Sequence, residues 1–452
     1  MRLGKCWNSS FYTINMESSC AGGLQMYLKN VTIKNFKAIS DMTLEFQEGI
    51  NLLIGDNGAG KTSVLDALSI GLGGYLAGIT GVPSKNILSD QVRFEVVKMG
   101  EASSALKYQI PTEVECTLNV EENKDYHWVR RRKDEHPNSK TTVSDRAICE
   151  YAYALTNGMS ETLPVLSYQS EARVWQQKRG DFGSVLKEKL NDRRQGYIGC
   201  LDYSLDIKGI KEWCLKMEME AFRSATKIAE YEAFKKLTAS AMQKMNDLPT
   251  CPEIYYSRQV EDMVYEENGQ IMPISYLSAG YQSFLWMVMD IAYRAAILNP
   301  NAFETLGQIP GIVLIDELDM HLHPKWQWNV IKALKETFPK IQFIIATHSP
   351  IIISSCKHER LIRISDNHRV DYLADAYAYS VEDILRYRQG SNEKPEMVVN
   401  WIKEFDKAMN LDDLKTANMI IEEMKEELGE EHSEVKNLVD ELEFDSWIEE
   451  NV

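Results

Sequence analysis

The chain has 452 residues, 44% hydrophobic and 26% charged, the profile of a soluble globular protein with core enough for two or three domains. Its eight cysteines are scattered without a C-x-x-C pair, which argues against a zinc site or a disulfide framework and for reduced, cytoplasmic thiols. The formal charge of −17 argues against nucleic acid, yet residues 401–452 alone carry −12, so the other 400 residues carry −5 and a local basic groove is allowed. No window approaches the ~18 consecutive apolar residues of a membrane span, and the N-terminus lacks the apolar run of a secretory signal.

Residues 1–25 have no periodicity and read as a disordered extension or a start placed too early. From Met26, two alternating strands ("YLKNVTIKNF", "MTLEFQ") lead to a buried strand at Ile50–Ile54, then to a helix from Thr62 to about Ile70. The glycine-rich stretch "GLGGYLAGITGVPS" reads as a flexible connection. Runs at Lys107–Val120 and Asp125–Val129 predict an antiparallel hairpin. The segment "RRRKDEHPNSKTTVSD" reads as a loop, either a solvated turn or one whose basic start touches phosphate. "LPVLSY" reads as a buried strand, and Ile207 to about Met245 as one or two helices within an inserted helical segment at about 180–250. No long heptad run and no fixed-period repeat is present. After the head (26–375), an acidic region (376–452) predicts three amphipathic helices, through Val399, Ile402, Phe405 and Met409, then Leu414 to Leu428, then Val435 to Leu442; they fit a solvated cap or a partner dock.

Four boxes carry chemistry. Gly55, Asp56, Asn57, Gly58, Ala59, Gly60, Lys61, Thr62 and Ser63 fit G-x-x-x-x-G-K-[ST] between a strand and a helix. Glycines there let backbone N–H groups curl around an anion, Lys61 adds charge for the outer phosphates, and the Thr62 hydroxyl suits Mg²⁺. The run "GIVLIDELDMHLHP" ends a buried strand on Asp316 and Glu317, suited to holding the Mg²⁺ shell and to polarising a water. A further run, "IQFIIATHSP", ends at His348, where a histidine could reach the γ-phosphate. Ser278, Ala279 and Gly280 then open a strongly apolar helix, a second anion site 38 residues before Asp316. A second cradle makes sense if it meets the nucleotide of another copy, which predicts an ATP-sandwich homodimer or higher even oligomer.

In chain order, the phosphate loop, the Leu277–Gly280 box, the Asp316-Glu317 strand and His348 resemble the ABC-type ATPase head of the SMC, RecF and OLD group over roughly Met26–Cys356. The resemblance implies an α/β fold with a mixed sheet, flanking helices and an antiparallel subdomain. It implies ATP and Mg²⁺ as cofactors, Thr62 and Asp316 as metal ligands, Glu317 as catalytic base, His348 as switch histidine, and Ser278 with Gly280 acting in trans. It also implies a Q-loop glutamine, for which Gln169 is the best-placed candidate. "DELDMHLHP" is similar to the OLD-like branch; "SEARVW", "RRQGYIGCLD" and the helical tail resemble PtuA-type ATPases of Septu antiphage systems and their retron-associated relatives. His321 and His323 lack a third ligand at useful spacing, so a structural or dimer-contact role is expected. Only 104 residues follow His348, and they contain no Asp-x-Asp, so the chain is not expected to be a nuclease itself.

The expected function is a slow regulatory ATPase whose nucleotide-driven assembly controls an HNH-type (PtuB-like) nuclease, with DNA or retron RNA/DNA contact open. The alternative is a RecF-like DNA-repair clamp, with Arg130 to Lys133, Lys178-Arg179 and Arg193-Arg194 as its basic surface. A transporter motor is disfavoured by the 217 positions between Lys61 and Ser278.

Overall fold

The computed structural model describes residues 25–99, 104–120, 124–158, 161–171, 192–374, 376–385, 394–411 and 413–451. Its contacts divide the chain into a unit ending at Tyr377 and a second from Ala378. Residues 1–24 of the expected extension and residues 180–191 of the helical insertion at 180–250 lie outside the described residues.

In the first unit, strands β1 (Met26–Phe36) and β2 (Ile39–Glu45) pair antiparallel and precede β3 (Ile50–Ile54) and helix α1 (Lys61–Leu76). The ribbon β4 (Phe94–Lys98) and β5 (Ser104–Tyr108) stands apart, with Phe94, Val96, Val97 and Leu106 exposed. Then come β6 (Thr112–Val120), β7 (Asp125–Arg132), β8 (Thr142–Ser144), α2 (Ala147–Asn157) and β9 (Val165–Gln169). Helices α3 (Ile207–Ser224) and α4 (Ala229–Asn246) lead to a three-stranded sheet of β10 (Glu253–Ser257), β11 (Asp262–Glu267) and β12 (Gln270–Pro273). The remainder is α5 (Ala279–Leu298), β13 (Gly311–Ile315), α6 (Pro324–Thr337), β14 (Ile341–Ala346), α7 (Pro350–Ser355), β15 (Arg360–Ser365) and β16 (Arg369–Leu373).

Two sheets organise these elements. The six-stranded one has the order β16-β15-β3-β14-β13-β9 and is parallel except for β16. Its strands β3, β9, β13 and β14 are buried along their whole length, which is why they read as unbroken apolar runs. The five-stranded antiparallel sheet, β2-β1-β6-β7-β8, instead alternates, and every second residue of β6 is buried. Gln342 of β14 joins the two. A register shift between Leu28 and Asn30 interrupts the β1–β6 ladder, and the Gln342 side chain accepts from Leu28 N at 2.8 Å and donates to Leu28 O at 2.9 Å. Its amide thus replaces the missing strand partner, so that no backbone group is buried unpaired.

Two expectations are corrected. The glycine-rich stretch is not a flexible connection at its start, because α1 continues through Gly71, Gly73 and Gly74 to Leu76. The reason is packing: a Cβ at Gly74 would lie 2.3 Å from Trp128 Nε1, and that indole donates to Gly71 O at 2.9 Å. Nor is "RRR" a solvated turn. Arg130 and Arg132 end β7 fully buried; Arg130 donates to Lys85 O at 2.6 Å, and Arg132 to Ile87 O and Ser139 O at 2.9 Å each. They act as internal caps for loop carbonyls that would otherwise be buried unpaired.

The second unit holds α8 (Glu396–Met409), α9 (Leu414–Leu428) and α10 (Ser433–Asn451), packed on Phe405, Ala417, Ile421, Met424 and Val435. Val398, rather than Val399, opens the buried stripe. No helix among the described residues is long and apolar enough to cross a membrane.

Candidate functional site

The site forms at the carboxyl edge of the parallel sheet, where β3, β13 and β14 release their loops side by side. Between β3 and α1, Asp56, Asn57 and Gly58 are exposed, while Lys61 is buried at the first position of the helix. Its ammonium donates to Gly55 O at 2.8 Å and Asp56 O at 2.9 Å. Burial pulls its pKa below the ordinary lysine value, and Asp316, Asp56, Glu317 and Asp319 pull the other way. The loop therefore surrounds a cation with its own carbonyls while leaving its tip open.

Asp316 follows β13 and is buried, its backbone N–H bonded to Gln169 O at 2.8 Å. Burial pushes its carboxyl up to about 6; the Thr62 hydroxyl bond opposes this, and the carboxylates of Glu317, Glu171 and Asp66 add to it. A hydroxyl and a carboxylate converge inside a cluster of negative charge, an oxygen donor set that suits Mg²⁺ and that a cation would relieve. Glu317 adopts a left-handed backbone at φ 47°, a strained conformation for a glutamate of the kind that clusters at functional sites.

His348 follows β14. Burial lowers its pKa, the Lys61 charge lowers it further, and Asp319, Glu317 and Asp56 oppose both, so the imidazole is neutral at pH 7. Asp319, a residue sequence reasoning passed over, ties the β13 and β14 loops together: its Oδ1 accepts from the Thr347 hydroxyl and from His348 N at 3.3 Å. Its signal was present as the second aspartate of "DELD". Lys61, Thr62, Asp316, Glu317 and His348 thus share one edge.

Ser278, Ala279 and Gly280 open α5 against the loop that follows β13. Ser278 is exposed, and its Oγ caps the helix by accepting from Tyr281 N at 3.5 Å. Gly280 is required by contact, since a Cβ there would lie 2.3 Å from His321 O. His323 serves as N-cap of α6, accepting from Lys325 N at 3.2 Å, and no group of three or more potential metal ligands occurs among the described residues.

Gln169 ends β9 beside Asp316, but its side chain turns into the core. Its amide donates to Ser167 Oγ at 2.7 Å and to Asp290 Oδ2 at 2.8 Å, and Asp290 in turn pairs with Arg294, both on α5. Sequence reasoning missed this buried pair inside the helix that begins at Ser278.

A family model described as an AAA domain matches residues 30–253, and an AAA ATPase domain model matches 186–353. The chain is similar to a retron Vc95 probable ATPase of Vibrio cholerae, at 26% identity over 79% of this chain and 77% of that one. It is similar to Septu protein PtuA of Bacillus thuringiensis, at 25% identity over 85% and 90%, and to a retron Ec83 probable ATPase of Escherichia coli, at 25% over 73% and 69%. In sheet order, motif order and these likenesses the chain resembles an ABC-type ATPase of the SMC, RecF and OLD-like group. Within that group the chain resembles the PtuA ATPase of Septu and the retron ATPases.

Proposed function

We propose that this ATPase is the regulatory subunit of an antiphage defence complex, and that ATP binding and slow hydrolysis set an assembly that restrains an HNH-type nuclease. The observation that carries the reading is the meeting of Lys61, Thr62, Asp316, Glu317 and His348 at one sheet edge, with Ser278 exposed at the start of α5.

On this reading the Gly55–Ser63 loop holds the phosphates, with Lys61 turning from the carbonyls of Gly55 and Asp56 to the outer phosphates. Thr62 and Asp316 would hold Mg²⁺, which supplies charge for the phosphate oxygens. Glu317 orients a water and takes its proton as the water oxygen bonds to the γ-phosphorus and the bond to the ADP oxygen breaks. His348, neutral at pH 7, offers a hydrogen bond to the γ-phosphate. Ser278 and Gly280 of a second copy complete the cradle, so hydrolysis and assembly are one event. The acidic second unit serves as the dock for the nuclease, where it can compete with DNA or retron RNA/DNA.

The clamp alternative is weakened by its own residues. Arg130 and Arg132 are spent on internal carbonyls, Arg131 pairs with Glu113, Arg194 pairs with Asp192, and Arg193 donates to Leu298 O and Glu161 O. Lys178 and Arg179 lie outside the described residues. Purifying the tagged protein from its own uninfected cells tests the proposal. A nuclease recovered in fixed ratio supports it; recovery alone, or with duplex DNA lost at high salt, would contradict it.

A further inference from the structure

The phosphate loop is backed by the β15–β16 hairpin, about 300 residues further along the chain. A Cβ at Gly55 would lie 2.0 Å from Ile364 O, and one at Gly60 would lie 3.3 Å from His368 Nδ1, so hairpin and loop are in close contact. The turn of the hairpin holds Asn367 and His368 in the left-handed region, at φ 57° and 60°. That backbone points the His368 ring at the loop. Its Nδ1 faces Ala59 O at 3.1 Å and its Nε2 faces Ala38 O at 3.0 Å.

A ring nitrogen that carries its proton donates to the carbonyl it faces; the neutral ring satisfies one of the two and the cation both. The consequence for the loop follows from peptide geometry. In a trans peptide the carbonyl and the N–H point in opposite directions, so a donor that holds Ala59 O outward aims the Gly60 N–H inward, to where phosphate would lie. Gly55 O and Asp56 O instead face the Lys61 ammonium, which must leave them to reach a phosphate. The hold on Ala59 does not depend on Lys61. Through Ala38 the same ring also touches the β1–β2 turn, whose Lys37 pairs with buried Asp66 of α1.

We propose that His368 is a positioning residue for the nucleotide: by fixing the Ala59–Gly60 peptide it pre-sets the phosphate loop for ATP. The proposal rests on reading Gly55–Ser63 as the ATP site, and the controls separate the two. Titration of full-length protein with a fluorescent ATP analogue and Mg²⁺ compares wild type, His368→Phe, His368→Gln and Lys61→Ala, with nucleotide-free melting temperature and kcat at saturating ATP measured on each. His368→Phe keeps a ring and removes both ring nitrogens; it should weaken ATP binding about tenfold, the scale of one lost hydrogen bond to a preorganised loop. His368→Gln, which keeps a donor, should recover most of that loss. Saturated kcat should stay within about twofold of wild type in both, because the reacting groups are untouched. Wild-type affinity in His368→Phe, with Lys61→Ala unable to bind, would overturn the proposal alone. Loss of affinity, kcat and melting temperature together in both His368 variants would reassign the residue to folding. If Lys61→Ala binds as wild type does, or wild type binds no ATP, the site reading falls and the proposal with it.

Discussion

Asp316 works against the fold that carries it. Burial first, and the neighbouring carboxylates second, push its carboxyl from an ordinary 3.8 to about 6. Between those values the folded state holds a proton that the unfolded chain has released. The nucleotide-free protein therefore loses stability as pH rises through that window and stays at the lower level above about 6. Asp316→Asn should accordingly be more stable than wild type at pH 7.5, by about 1–3 kcal/mol, while losing Mg²⁺-dependent hydrolysis. Thermal melts and phosphate release measure the two halves, and an unchanged or lower melting temperature would count against the assignment. The apparent affinity of the nucleotide-free protein for Mg²⁺ should fall as pH drops through about 6, because Asp316 must give up its proton to hold the ion. Glu317→Gln should keep ATP binding and lose hydrolysis by at least about 100-fold; a variant that still turns over would remove Glu317 from the chemistry.

At the scale of elements, α5 couples the signature to the sheet through a buried ion pair. Arg294 Nε lies 3.0 Å from both Asp290 oxygens, and Nη1 donates to Gly196 O at 2.9 Å. Asp290→Ala leaves a buried guanidinium without its counter-charge and should cost about 3–5 kcal/mol in chemical denaturation; a change under about 1 kcal/mol would show that water enters the site. The helix itself was legible from its apolar spacing, but the pair was not, because charges in a helix read as a solvent face until the partner strand is known. The same limit hid the fates of Arg130 and Arg132, whose acceptors are backbone carbonyls up to 45 residues away. The extent of α1 was hidden too, since the glycines that suggest a linker are those that admit Trp128. The phosphate loop and the Asp316-Glu317 strand were legible because their chemistry is local. Asp319 and His368 were not, because each matters through a distant backbone group.

At the scale of the whole molecule, the chain is two units with separate cores. Phe405→Ala should loosen α8, α9 and α10, at about 3–5 kcal/mol for a fully buried phenylalanine, and leave ATP affinity unchanged. Amide hydrogen exchange of the second unit, beside an ATP titration, checks both halves. Assembly is the larger claim: on this account Ser278, exposed at the start of α5, meets the nucleotide of a second copy. Sedimentation velocity of Glu317→Gln, with and without Mg²⁺ and ATP, tests it directly. ATP should convert monomer to dimer or a higher even oligomer, and adding Ser278→Arg should abolish that shift without weakening ATP binding. A mass that ignores ATP, or an ATP-driven oligomer that survives Ser278→Arg, would contradict the sandwich.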